Sequence, residues 1–176
     1  MDRAVLFGSP EYVIFLSLLL FSRSMDFLST WIATPNLVLE ANPIARRLRW
    51  KWGIPINLLL CVGFARWPLV AIIVSTTSVL VAARNFQHAW LMRSHGEDNY
   101  RHWFVERLDE TPPGLFLFCL FAQTSLTGAL GGALVFFSRL EQEVPLGIGM
   151  GIVGYALAVA IYTLLSLIRN RRMARY

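Results

Sequence analysis

The alternation of long apolar runs with short charged stretches is the feature that most constrains how this chain can fold. A helical run of about 20 apolar residues spans the roughly 30 Å hydrocarbon core of a bilayer. Hydrophobic residues make up 56% of the 176 residues and charged residues only 15%, whereas a soluble domain carries about 25% charged residues. The pattern predicts an all-α, polytopic transmembrane helix bundle that forms a single domain over residues 1–176.

The apolar runs predict about five spans. Residues 54–92 are too many for one span, and Arg66-Trp67-Pro68 divides them, because proline disfavours a helical conformation in the residue before it. The second span is short, and a re-entrant helix is the alternative for it. The polar segment 93–112 predicts a short amphipathic helix at the cytoplasmic surface of the membrane. The predicted spans are residues 10–34, 52–65, 68–91, 114–138 and 145–168.

The distribution of Lys and Arg predicts the orientation. With five spans, eleven of these residues lie on the side of the C-terminus and three on the side of the N-terminus. The positive-inside rule then predicts an external N-terminus and a cytoplasmic C-terminus, in the cytoplasmic (inner) membrane of a bacterium or archaeon. The net charge is +5, and its cations flank apolar runs. We therefore predict that the partner is the lipid bilayer and that the protein binds no nucleic acid.

Polar residues in and beside the first three spans predict a cluster near the cytoplasmic side. A charged residue inside a span costs roughly 2.5–3.5 kcal/mol, so each one calls for a reason. Arg23 and Asp26 are spaced i, i+3 and are able to pair, which leaves open a structural ion pair or a functional carboxylate. Glu40 and Asn42 either cap a turn or fold back to close a polar pocket. The predicted cluster is Asp26, Thr30, Glu40, Asn42, Arg84, Asn85 and His88.

Asp26-x-x-Ser29-Thr30, followed by Glu40-x-Asn42-Pro43, resembles the signature of a family of small bacterial and archaeal integral membrane proteins of unknown function. The resemblance covers about residues 15–92. It implies that the signature residues form one structural unit, and it implies no activity.

Histidines and cysteines give little support for a metal or cofactor site. His88, His95 and His102 follow one another at seven-residue intervals, about 10.5 Å along one helix, which is too far for two of them to bind one ion. A metal would need acidic partners from other segments, and a haem or chlorin on His88 is a further alternative. We predict no metal site, and the cofactor stays unknown. Cys61 and Cys119 each lie inside an apolar run, where cysteine usually acts as a small hydrophobic residue.

The last two predicted spans carry glycines at spacings typical of close helix packing. This packing occurs either inside the bundle or at an interface with another subunit of an oligomer or complex. The glycines are Gly128, Gly132, Gly147, Gly151 and Gly154.

Two functions compete at this point. Common motifs of hydrolases, P-loop proteins and dinucleotide-binding proteins are absent from the sequence. The favoured prediction is a non-enzymatic accessory or assembly subunit of a larger membrane complex. The alternative is a small membrane enzyme or transporter that acts on a lipid or lipid-linked substrate. It would use Asp26, Glu40 and His88 at the cytoplasmic interface, with Asp26 or Glu40 as the base or ion ligand, while Arg84 holds an anionic headgroup.

Overall fold

The computed structural model describes residues 4–138 and 142–173, with side chains up to residue 168. The described chain is all-helical, as the sequence predicts. Four of its helices, over Pro10–Ala33, Pro68–His95, Pro113–Phe137 and Glu143–Ile168, are long and apolar enough to cross a membrane, whereas the helix over Pro43–Phe64 does not belong to this group. The helices are α1 (Pro10–Ala33), α2 (Pro43–Phe64), α3 (Pro68–His95), α4 (Glu97–Glu110), α5 (Pro113–Phe137) and α6 (Glu143–Met173).

Prolines and capping side chains determine where the first two helices begin. The Ser9 hydroxyl accepts a hydrogen bond from the Tyr12 amide at 3.2 Å, and proline follows directly at the first helical position of α1. In the same way, the Asn42 side chain caps α2, which begins at Pro43. The second predicted span begins at residue 52, whereas the helix begins at Pro43, so the predicted start is too late.

A break at Arg49 divides α2 into two parts. Arg49 has φ 54° and ψ −174°, in a region that residues with a side chain rarely adopt. Residues 43–48 form a short basic turn of helix, in which Arg46 and Arg47 are exposed. Residues 50–64 form an apolar helix that enters the bundle.

The apolar part of α2 runs antiparallel to α1. The Trp50 indole N–H donates to the Pro35 carbonyl at 2.8 Å, near the end of α1. The Tyr12 hydroxyl, near the start of α1, donates to the Val62 carbonyl at 3.1 Å. This part of α2 therefore returns the chain to the end of the bundle at which α1 begins.

Because α2 returns the chain, α1 and α3 are parallel neighbours. The Val5 amide donates to the Arg66 carbonyl at 2.7 Å, which fixes the starts of both helices at one level. Ser22 and Ser29 of α1 are completely buried, and so is Ala71 of α3. The small residues on this side of α1 let the two helices pack closely.

Glycines bring α3, α6 and α5 together. A Cβ at Gly151 of α6 would lie 2.6 Å from the Thr76 Cβ of α3, and one at Gly147 would lie 2.8 Å from Ile72. These contacts advance in the same direction along both helices, so α3 and α6 are parallel. α5 runs antiparallel to α6, and Gly131 and Gly149 allow the backbones of these two helices to touch.

Four of the five predicted packing glycines face another helix of this same chain. Gly128 packs against Ala156 of α6. Gly147, Gly151 and Gly154 pack against α3. A Cβ added at Gly132 would meet no heavy atom within 4 Å among the described residues. The sequence pattern missed Gly131 and Gly149, which make the closest contacts between α5 and α6.

Candidate functional site

A cavity of about 560 Å³ lies at the end of the bundle where α1 ends. Its walls come from α1, α2, α3 and α6, together with the loop between α1 and α2. Six of the seven predicted cluster residues line it: Asp26, Thr30, Glu40, Asn42, Arg84 and Asn85. His88 lies outside the lining on the exposed side of α3, with its Nδ1 atom 3.2 Å from the Arg84 carbonyl.

Arg23 lines the cavity and is held by polar groups from three helices. Its Nη1 atom donates to Asp26 Oδ2 at 2.8 Å and to the Ser78 hydroxyl at 3.1 Å. Nε donates to Asn57 Oδ1 at 2.9 Å, and Nη2 donates to the same oxygen. The Arg23 and Asp26 side chains are only 27% and 17% exposed. These hydrogen bonds offset the cost of removing two charges from water.

Asn85 of α3 forms part of the wall through contacts with α1. Its side-chain amide donates to Ser29 Oγ and to Thr30 Oγ1, each at 3.3 Å. The Ser29 hydroxyl in turn donates to the Asp26 carbonyl at 2.9 Å. Thr30 and Asn85 thus hold the two helices in register beside the carboxylate of Asp26.

Glu40 and Asn42 cap a turn and also line the cavity, so both of the alternatives left open by the sequence occur together. Glu40 Oε1 accepts the Asn42 amide at 2.7 Å. Asn42 Oδ1 accepts the Ile44 and Ala45 amides at 2.9 Å and 3.4 Å, at the start of α2. The turn places the Glu40 carboxylate in the lining of the same cavity as Asp26.

Glu97, the first residue of α4, fastens the loop at the rim of the cavity. Its Oε1 atom accepts the Thr34 hydroxyl at 2.6 Å and the Asn36 amide at 2.9 Å. Its Oε2 atom accepts the Asn36 side-chain amide, also at 2.9 Å. Sequence reasoning missed Glu97 in this role, because its partners are 61 and 63 residues away along the chain and no local spacing reveals such a contact.

Arg84 brings a buried hydrogen-bond donor without a partner to the cavity. It lines the cavity, and its Nη1 atom is buried with no hydrogen-bond partner within the described part of the chain. Arg49 also lines the cavity, with an exposed side chain. A guanidinium group with free N–H donors is suited to a phosphate or carboxylate group.

The remaining lining is apolar and aromatic, and part of it comes from α6. Tyr155, Tyr162 and Thr163 of that helix line the cavity, although the sequence pattern assigned only packing to the last two spans. Apolar side chains such as Leu48 and Val81 complete the wall. The cavity therefore offers a cationic group and an apolar surface to one ligand.

Among residues 4–138 and 142–168, no group of three or more His, Cys, Asp or Glu side chains is arranged to hold a metal ion. Comparisons with protein-family profiles, with curated proteins and with solved structures find no match to this chain. The resemblance of residues 15–92 to a family of unknown function therefore stays a prediction.

Proposed function

We propose that this protein crosses the membrane five times and binds an anionic amphiphile, a lipid or lipid-linked molecule, in the cavity on the cytoplasmic side. The observation that carries the ligand proposal is the buried Nη1 atom of Arg84, which has no partner among the described residues. An external N-terminus and a cytoplasmic C-terminus complete the proposal, in an inner membrane of the bacterial or archaeal type.

The helix directions support five crossings. α1, α3 and α6 are parallel, so the chain must return between them, and α2 and α5 run in the return direction. The apolar part of α2, residues 50–64, is about 22 Å long at 1.5 Å per residue. The Arg23 side chain contacts it at Asn57, near the middle of α1. The basic turn at residues 43–48 then lies on the side that the positive-inside rule makes cytoplasmic.

The charge of the cavity supports an anionic ligand. Burying a donor of a charged group without an acceptor costs about 1–3 kcal/mol or more, and an anion at Arg84 removes that cost. Arg23 does not compete for the ligand, because Asp26, Asn57 and Ser78 accept from it. The apolar lining is suited to the hydrocarbon part of the same molecule.

Within this proposal, Arg84 holds the anionic group and the loop at residues 34–42 covers it. The carboxylates of Asp26 and Glu40 line the same cavity, and Asp26 is paired there with Arg23. His88 takes no part, because it lies outside the lining.

The test compares two arginines of α3. Arg84→Gln removes the cavity cation and leaves a shorter, polar and neutral side chain, whereas Arg93→Gln makes the same change at an exposed cation outside the lining. Native mass spectrometry of the gently purified proteins measures anionic lipid that remains bound. We expect Arg84→Gln to reduce bound anionic lipid about tenfold, in line with the loss of a charge-assisted hydrogen bond, and Arg93→Gln to match the unmodified protein. Equal retention in both variants would contradict the proposal.

The accessory-subunit function is the second candidate, and the outer face of α5 is the observation that favours it. Leu126 and Leu130, which share this face, are 70% and 69% exposed. Such a face meets either lipid or a neighbouring membrane protein. Purification in a mild detergent from the native host tests this function. A strictly monomeric protein without a co-purifying partner would argue against it.

A further inference from the structure

A second cavity of about 200 Å³ lies next to the first one, on the far side of Arg23 and Asn57. These two residues line both cavities, so the two spaces are separated by little more than their side chains. The other lining residues of the second cavity come from α1, α2 and α3, and are Leu19, Leu60, Cys61, Phe64 and Val74.

The second cavity is chemically suited to an apolar occupant. Apart from Arg23 and Asn57, every residue that lines it is apolar or a cysteine. The Arg23 Nε and Nη2 atoms already donate to Asn57 Oδ1, and the Asn57 amide donates to the Gly53 carbonyl at 2.8 Å. Since water needs two to four polar partners and the polar groups here are already hydrogen-bonded, the second cavity suits an apolar chain better than water.

The two cavities follow one another along the helix axes. Val74, in the second cavity, and Arg84, in the first, are ten residues apart on α3, which corresponds to about 15 Å. An extended chain advances roughly 1.2 Å per bond, so a hydrocarbon chain of about twelve carbons covers this distance. An amphiphile that lies along α3 thus places its two ends in the two cavities.

We infer that the second cavity is a binding site for the hydrocarbon chain of an amphiphile whose anionic group lies at Arg84. This inference rests on the proposed function and adds a chain-length preference to it. The chain passes Arg23 and Asn57, and the methylene stem of Arg23 offers it an apolar surface. Leu19 and Cys61, which are 0% and 3% exposed, form the closed part of the site.

The experiment compares the two cysteines of the chain. Cys61→Phe fills the second cavity, whereas Cys119→Phe makes the same change at an exposed position on α5, outside both cavities. The probes are hexyl phosphate and dodecyl phosphate. Native mass spectrometry measures their binding to the protein in nanodiscs. Each affinity is calculated from the mole fraction of the probe in the bilayer rather than from its total concentration. This calculation corrects for the stronger partitioning of long-chain probes into the bilayer.

We expect the unmodified protein and Cys119→Phe to prefer dodecyl over hexyl phosphate by about tenfold, through the contacts that the longer chain makes in the second cavity. Cys61→Phe should lose this preference and keep its affinity for hexyl phosphate. Val74→Phe fills the same cavity from α3 and should have the same effect. This second variant keeps the test informative if Cys61→Phe does not fold.

Three results would overturn the inference. An equal preference for dodecyl phosphate in Cys61→Phe, Val74→Phe and Cys119→Phe would show that the chain lies elsewhere, while the proposed function would stand. Equal loss of both probes in the two cavity-filling variants would show that the substitutions act on the anionic site. Failure of the unmodified protein to bind either probe would remove the proposed function together with the inference.

Discussion

Arg23 and Arg84 are both arginines inside apolar helices, and they differ in the hydrogen-bond acceptors around their guanidinium groups. Arg23 donates to an aspartate, an asparagine and a serine on three helices, so it stabilises the bundle as an ordinary buried ion pair does. Arg84 has a buried Nη1 atom with no acceptor anywhere in the described residues. Since a charged group in a membrane is costly, the unpartnered donor of Arg84 is the observation on which the proposed anionic ligand rests.

Two neighbouring glycines provide a sharp test of packing at the residue scale. A Cβ at Gly131 would lie 2.8 Å from the Gly149 carbonyl oxygen and 2.9 Å from the Val153 amide, both of which are backbone atoms. Gly131→Ala should therefore lower the free energy of unfolding by about 1–3 kcal/mol, through forced separation of α5 and α6. Unfolding by denaturant in mixed micelles measures the change.

Gly132→Ala is the matched control, because no described atom lies within 4 Å of its Cβ position. It should be neutral or slightly stabilising, by up to about 1 kcal/mol, since alanine favours a helix more than glycine does. A larger loss of stability for Gly132→Ala than for Gly131→Ala would contradict the described packing of α5 on α6.

At this scale, the residues that sequence could identify are those whose partners are near in the chain. Arg23 and Asp26 are three residues apart, so their pairing follows from helical geometry. Asn57, which accepts from Arg23, is 34 residues away, and nothing in its own sequence neighbourhood marks it. The GxxxG spacing singled out Gly128 and Gly132. In the structure it is Gly131 whose backbone touches the backbone of α6.

Among the elements, α4 and the loop before α2 form one unit through Glu97. The single carboxylate of Glu97 accepts from Thr34 and twice from Asn36. Hydrogen bonds to a charged acceptor contribute about 1.5–3 kcal/mol. The clamp therefore holds the loop at residues 34–42 over the cavity.

Glu97→Ala should release this loop. Loss of about 1.4–2.8 kcal/mol corresponds to a tenfold to hundredfold faster hydrogen exchange of the amides at residues 36–42. Mass spectrometry of peptides after deuterium labelling measures the rates. Asp98→Ala, at the exposed next position of α4, is the control. Unchanged exchange in Glu97→Ala, or the same acceleration in Asp98→Ala, would contradict the clamp.

The starts of three helices could be predicted from the prolines that begin them, Pro10, Pro68 and Pro113, but the start of α2 at Pro43 was not predicted. The basic stretch before residue 52 was left outside the predicted spans, because its charges interrupt the apolar pattern. The structure instead continues the helix through it and breaks only at Arg49. Charge in a sequence indicates contact with water, and a helix at the membrane surface satisfies that requirement as well as a loop does.

At the scale of the whole molecule, the return of the chain through α2 creates the site. Because α2 runs back along α1, α3 starts beside the start of α1, and the ends of both helices meet α6 at the same end of the bundle. The short basic turn of α2 and the loop at residues 34–42 then close that end around the cavity. The sequence predicted six of the residues that line the cavity, but it also included His88, which lies outside the lining, and it did not predict the contribution of α6.

The sidedness of α2 is the most direct test of five crossings. In a background with Cys61→Ser and Cys119→Ser, single cysteines replace the exposed Arg47 and Arg66 at opposite ends of α2. A membrane-impermeant thiol reagent is then applied to one side of the membrane at a time. We expect labelling of Arg47→Cys only from the cytoplasmic side and of Arg66→Cys only from the outside. Labelling of both positions from the same side would contradict the proposal that α2 is the second membrane span.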